Sequence, residues 1–178
     1  PNFPVTLQRT YHSGNRARSG AFGHGWDLSL QSMKLQVSHI SGQGWYAENT
    51  GRFIPYFELR SDLAHTVKIT DNDGGSLIFE FAPYLNSPSA NAYLATANWI
   101  EVTESGAELT VLDTRDLYLS GGVLIDFSQI NTYSPRRYRL NMPDGREYIF
   151  NVDAGLESYT DSYGERIDIS RAGLSSDR

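Results

Sequence analysis

Four histidines, His12, His24, His39 and His65, are the side chains in this chain best suited to proton transfer or metal ligation near neutral pH. None lies two or four residues from another, the spacing that puts two imidazoles on one metal, so they read as satisfied or exposed rings. The absence of cysteine removes thiolate metal sites, thiol nucleophiles and disulfides together. Glycoside hydrolysis needs two carboxylates flanking a sugar, and Glu101 with Glu104 or Asp113 with Asp116 are of the right type. Spacing alone does not face them across a cleft, and solvated turn charges are the simpler reading. The run Asp71-Asn72-Asp73-Gly74-Gly75 opens like a calcium loop. Its twelfth position, where a bidentate carboxylate belongs, is Ala82, so the run is read as a hairpin turn.

Arg9, Arg16 and Arg18 form a small basic cluster able to grip a phosphate or carboxylate. The simpler role for Arg9 is an ion pair whose stem packs beside Val5, Leu7 and Tyr11. Gly23-His24-Gly25 begins like a dinucleotide fingerprint, but the third glycine is missing and a strand follows, so these are turn glycines. No phosphate-binding loop, nucleophile elbow or zinc-protease motif is present. The sequence therefore assigns no catalytic, metal or cofactor residue. Trp26, Trp45 and Trp99, with eleven tyrosines, have faces that stack on sugar rings, although cross-strand packing uses aromatics the same way.

The composition is that of an all-β chain. Sixteen glycines sit among many Thr, Val, Ile and aromatic residues, while Ala- and Leu-rich helical stretches are scarce. Val5 to His12 alternates as a strand, Ser13 to Gly25 reads as a loop, and Trp26 to Val37 reads as a strand whose apolar parity flips near Gln31-Ser32, predicting a bulge. Val67 to Phe81 is the clearest hairpin. Further strands are expected over Arg52 to Arg60, Trp99 to Thr103, Glu108 to Asp113, Leu117 to Leu119 and Val123 to Phe127. Between Pro83 and Asn98 two readings compete: a short helix capped by Ser87 and opened by Pro88, or a long hairpin loop.

After Tyr138 the pattern becomes regular. Glycines recur at 145, 155, 164 and 173, each gap holding one strand and one tight turn, and Ala-Gly-Leu recurs after 18 residues. Such units cannot bury an apolar face alone and need neighbours. We divide the chain into a β domain over 1–135 and the first repeats over 136–178, and expect an open edge near Ser170 to Arg178. The opening Pro1-Asn2-Phe3-Pro4 has neither an initiator Met nor a signal pattern, so we read the chain as an excised fragment whose export signal lies elsewhere.

Fifteen Lys and Arg against 21 Asp and Glu give a net charge of −6, which disfavours a nucleic-acid partner. No apolar stretch approaches the ~20 residues of a membrane helix.

Two segments resemble the Rhs (rearrangement hotspot) and YD-repeat proteins. Pro4 to Ser13 followed by Gly20 to Leu30 is similar to that family's segment before the repeats, where an Arg-x-Tyr strand (Arg9, Tyr11) precedes a Gly-x-Gly-Trp turn (Gly23, Gly25, Trp26). Leu140 to Phe150 and Leu156 to Ile167 are similar to its repeats, carried by Asp144, Gly145, Gly155, Tyr159, Asp161 and Gly164. The strict Tyr-Asp pair is loosened to Tyr159-Thr160-Asp161, so these resemble degenerate opening repeats. The resemblance implies the opening part of a hollow β-shell of consecutive antiparallel hairpins, a non-catalytic scaffold without cofactors. It implies a bacterial, secreted or surface-associated protein whose partners are the C-terminal effector or toxin region of the same full-length chain and a secretion machinery. The alternative is a carbohydrate-binding β module of a surface protein, with a glycan as partner.

Overall fold

The computed structural model describes residues 9–11, 19–20, 23–24, 26–28, 33–71, 74–170 and 173–177. The expected bulge at Gln31-Ser32, the cations Arg16 and Arg18, and Gly25 lie outside them. Strands β1 (Arg9–Tyr11), β2 (Ser19–Gly20), β3 (Gly23–His24) and β4 (Trp26–Leu28) form two short ribbons, β1 with β4 and β2 with β3. Next come β5 (Lys34–Val37), β6 (Trp45–Asn49), β7 (Phe57–Ser61), β8 (Thr66–Thr70), β9 (Ser76–Phe81), β10 (Tyr84–Ser87), β11 (Asn91–Thr96) and β12 (Trp99–Glu101). The chain continues through β13 (Glu108–Val111), β14 (Asp116–Ser120), β15 (Val123–Asp126), β16 (Asn131–Thr132) and β17 (Arg137–Asn141). It closes with β18 (Glu147–Asn151), β19 (Gly155–Thr160), β20 (Arg166–Ser170) and β21 (Gly173–Asp177). All pairings are antiparallel, as the alternating patterns require, and no helix occurs among the described residues.

Three sheets dominate: β12-β9-β8-β5, β10-β11-β14-β15-β16 and β13-β17-β18-β19-β20-β21, with β6-β7 as a separate ribbon. Each follows from period-two burial. In β9, Leu77, Phe79 and Phe81 are buried while Glu80 is exposed, and Val67 and Ile69 of β8 repeat the pattern opposite them. The hairpin joining β8 and β9 is the one expected from Val67 to Phe81.

The competition over Pro83 to Asn98 resolves to a hairpin. A turn at residues 88–90 joins β10 to β11, and Ala95 and Ala97 are buried under the sheet, where only small side chains fit. Two of the alanines that suggested a helix are thus buried by packing in a strand-and-turn segment, while Ala90 is exposed in the turn. Strands β2 and β3, which pair within the expected loop Ser13 to Gly25, and β6, β10, β11 and β16 have no counterpart in the sequence-based reading.

The core is aromatic at its centre. Phe81 contacts Trp45, Trp99 and Tyr133 with ring centroids 5.6, 4.8 and 5.6 Å apart, and Trp99 meets Tyr138 at 5.7 Å. These rings come from β6, β9, β12, β17 and the segment after β16, so one cluster ties the sheets together. Burial drives the phenols of Tyr133 and Tyr138 well above their ordinary range, so both stay neutral.

His65 belongs to the same cluster. It is 2% exposed, stacks on Trp45 at 5.3 Å, and its Nε2 lies 3.1 Å from Ser61 Oγ. Burial lowers its pKa, and His39, 5.9 Å away ring to ring, acts in the same direction. A buried imidazole held neutral in the fold but free to protonate when unfolded contributes stability above the unfolded value of ~6.5, and this is lost as pH falls below it. One proton limits the slope to about 1.4 kcal/mol per pH unit. Urea unfolding at pH 7.5 and 5.5 is expected to show a larger acid loss for the wild type than for His65→Gln. Equal losses would contradict this account.

Candidate functional site: a hairpin array with one apolar face

The six-stranded sheet is the place where the repeat residues meet. From β17 to β21 each strand pairs with its neighbour in sequence, while β13, from before residue 135, pairs with β17 at one edge. Strand β21 forms the other edge, where an open edge was expected.

Its two faces differ in chemistry. Tyr138, Leu140, Tyr148, Phe150, Leu156 and Tyr159 point inward and are buried. A bulge between Ile149 and Phe150 keeps Leu156 and Tyr159 on that same side. Outside, Arg137 pairs with Glu157 at 2.7 Å, Arg139 with Glu147 at 3.2 Å and Arg166 with Asp168 at 2.8 Å. Arg136 also pairs with Asp153. Pairs this exposed contribute little stability individually, and on the same face Ile149 and Ser158, opposite one another in register, are buried, so it is polar at its ion pairs but only partly open to water.

The turns explain the glycine spacing. In the β17–β18 turn, the Met142 N–H donates to the Arg146 carbonyl at 2.8 Å, the Gly145 N–H to the Met142 carbonyl at 3.0 Å, and Gly145 has φ 89°. In the β19–β20 turn, Asp161 donates to the Glu165 carbonyl at 2.9 Å, Gly164 to the Asp161 carbonyl at 3.1 Å, and Gly164 again has φ 89°. The β8–β9 turn has the same closing bond from Asp71 to Gly75, 2.9 Å, and Gly74 at φ 84°. This is the three-residue hairpin loop that ends in a left-handed residue, a place for glycine. The resemblance of Asp71-Asn72-Asp73-Gly74-Gly75 to these turns was not drawn from the sequence, although the glycine and aspartate positions carried it.

The aspartates act as turn braces. Asp161 Oδ1 accepts the N–H groups of Tyr163 and Glu165, both at 2.9 Å, and Asp71 Oδ1 accepts that of Gly75 at 2.7 Å. Asp144 Oδ1 accepts the Arg146 N–H at 3.2 Å and its Oδ2 takes Arg146 Nε at 2.7 Å, and this guanidinium holds its carboxyl below the usual range. Truncation of Asp161 to alanine strands two turn amides, and a loss of about 1 kcal/mol is expected in urea unfolding. The matching loss for Ser162→Ala should be near zero. If the two variants are equally stable, the brace is not there.

The remaining residues singled out by the sequence separate into distinct places. Arg9 and Tyr11 lie on β1 and Trp26 on β4, with Tyr11 opposite Trp26 in register, and Gly23 lies on β3 opposite Gly20. Gly155 opens β19 at φ 85°, and Tyr159 is buried against Tyr148 at 5.1 Å. Of the acidic pairs, Glu101 and Asp113 are each taken up by nearby donors. Glu101 accepts bonds from the Ser105, Gly106 and Ala107 N–H groups and from the Thr103 and Ser105 hydroxyls, at 2.5 to 3.1 Å. Burial pushes its carboxyl up, but these donors outweigh it and the pKa is lowered. Asp113 Oδ2 accepts the Arg136 and Arg137 N–H groups at 2.7 and 3.1 Å. Both carboxylates are engaged in holding loops.

Among the described residues no group of three His, Asp or Glu side chains is placed to hold a metal ion, and no helix is long and apolar enough to cross a membrane. A shallow cleft of about 360 Å³ is lined by Val37 to Ser41, Ser134 to Arg136 and Val152. Its His39 Nδ1 lies 3.0 Å from the Ala64 carbonyl, and its Arg136 is tied to Asp153.

The profile of a family described as a domain of unknown function, DUF6531, matches residues 1–56. That segment holds Arg9, Tyr11, Gly23, Gly25 and Trp26, whereas the hairpin array lies beyond it. No curated protein and no solved structure matches the chain.

Proposed function

We propose that this chain is a non-catalytic structural scaffold, a segment of an Rhs-type shell that encloses and helps deliver a C-terminal effector or toxin region of the same full-length protein. The observation that carries this reading is the array β17 to β21. Consecutive hairpins in sequence order share one buried apolar face and one ion-paired face, and such a sheet can extend by adding further hairpins at β21. The engagement of Glu101, Asp113 and Asp161 in loops and turns supports a role in burial over bond-making. A secreted or cell-surface bacterial setting goes with this proposal, as does contact with a secretion machinery.

The test is limited proteolysis of the full-length protein alongside its separately expressed C-terminal region. The enclosed region is expected to survive at protease concentrations that degrade the isolated one, and electron microscopy should show a closed shell. Equal cleavage rates with no closed particle would defeat the proposal.

A further inference from the structure

The five-stranded sheet presents an outer face unlike that of the hairpin array. From β10 to β16 it carries Tyr84 and Asn86, Leu94 and Thr96, then Asp116, Tyr118 and Ser120, then Val123 and Ile125, then Thr132. Asp116 is the single charged side chain in that set, and among the described residues it has no ion pair. By contrast, the hairpin array carries arginine–carboxylate pairs outside that involve β17, β18, β19 and β20.

Register places these groups in two rows. Tyr84, Thr96 and Asp116 lie opposite one another across β10, β11 and β14, and Leu94, Tyr118, Ile125 and Thr132 form the adjacent row. Tyr84 is 51% exposed and Tyr118 38%, and Tyr118 stacks on Tyr93 at 6.1 Å with an interplanar angle of 29°. Strands ~4.8 Å apart make this an open platform about 10 Å across from β10 to β14, bordered at Tyr84 by a cleft of about 240 Å³ that Phe57 and Glu58 also line. Polar groups interrupt the rings. Thr96 Oγ1 donates to Asn86 Oδ1 at 2.7 Å, which fixes the amide so that its two N–H donors point away from that bond.

We propose that this face binds a neutral oligosaccharide of several linked pyranose rings. The apolar C–H face of a sugar ring stacks on a tyrosine, and its peripheral hydroxyls match the donors of Asn86 and the acceptors of Asp116. A protein docked here would have to bring a cation to Asp116 to offset its burial, whereas sugar hydroxyls satisfy a carboxylate and leave it hydrated. The uncompensated Asp116 and the net charge of −6 select against acidic sugars. This site goes beyond the scaffold reading and does not depend on it.

Isothermal titration of the purified chain with cellohexaose, xylohexaose, mannohexaose and chitohexaose tests the site. Saturable binding to at least one is expected, weakened about tenfold in Tyr118→Ala and in Tyr84→Ala, in line with the worth of one stacked ring. Tyr163→Ala, in the β19–β20 turn and 92% exposed, should bind as the wild type does. Circular dichroism would establish that each variant is folded. Absence of saturable binding across the four sugars overturns the proposal, as does binding that folded Tyr118→Ala and Tyr84→Ala leave unchanged. It is overturned equally if sugars fail to bind and Tyr118→Ala abolishes self-association in sedimentation, which would put protein on this face.

Discussion

Replacing Phe150 by alanine is expected to remove about 3–5 kcal/mol of folding stability, the range for deleting a buried aromatic ring. Phe150 has no exposed surface, lies opposite Tyr138 on one side and Leu156 on the other, and stacks on Tyr148 at 6.3 Å. Every neighbour is held in a paired strand, so the sheet cannot collapse into the space left behind. Since domains of this size have only about 5–15 kcal/mol in total, the variant should unfold at a much lower urea concentration or express as an unfolded chain. Tyr163→Ala, which removes a ring from a 92% exposed position in the same array, should shift stability by less than about 0.5 kcal/mol. A loss below about 1 kcal/mol for Phe150→Ala would mean that the inner face of the array is not packed as described.

Gly42→Ala is expected to be a strongly damaging single-methyl change. Its backbone is not in the left-handed region, so alanine meets no conformational objection there. The obstacle is space, because a Cβ would stand 2.4 Å from the Leu124 carbonyl oxygen and 2.8 Å from the Tyr133 nitrogen. Those atoms are themselves engaged. Gly42 donates to the Tyr133 carbonyl at 2.8 Å and accepts from the Leu124 N–H at 2.7 Å, while Tyr133 donates to Leu124 at 2.8 Å. Backbone locked in three mutual bonds cannot yield as a side-chain tip would, so a cost of about 3 kcal/mol, the upper end for overpacking, is expected in urea unfolding. Gly155→Ala offers the comparison. Nothing lies within 4 Å of its added Cβ, but its φ of 85° leaves a left-handed strain of about 1–2 kcal/mol. If Gly42→Ala proves the milder of the two, the close approach of residues 42, 124 and 133 is wrong.

Much of the local architecture was legible without coordinates. The glycines at 145, 155 and 164 are spaced as turn residues, and all three have positive φ, because a tight hairpin closing two twisted strands needs a left-handed residue that glycine supplies most cheaply. Val67 to Phe81 declared itself a hairpin through strict alternation around an Asp-Gly turn. The all-β class followed in the same way, since a face that is half buried must alternate with period two.

What the sequence could not decide was which strands became neighbours and what a polar residue would do once placed. Nothing local to Pro83 to Asn98 distinguishes alanines suited to a helix from alanines needed where a sheet packs closely, and only the burial of Ala95 and Ala97 separates the two. Glu101 and Asp113 read as candidate acids in isolation, and became loop braces because folding brought backbone N–H groups to them. Strand β13 joins the hairpin array across an intervening sheet, a pairing set by burial between segments distant in sequence. The contrast between an ion-paired face and a tyrosine-bearing one likewise exists only once register has aligned side chains from several strands. Turn chemistry and alternation are properties of a few consecutive residues, whereas sheet order, close backbone approach and the character of a face belong to contacts that only the folded chain makes.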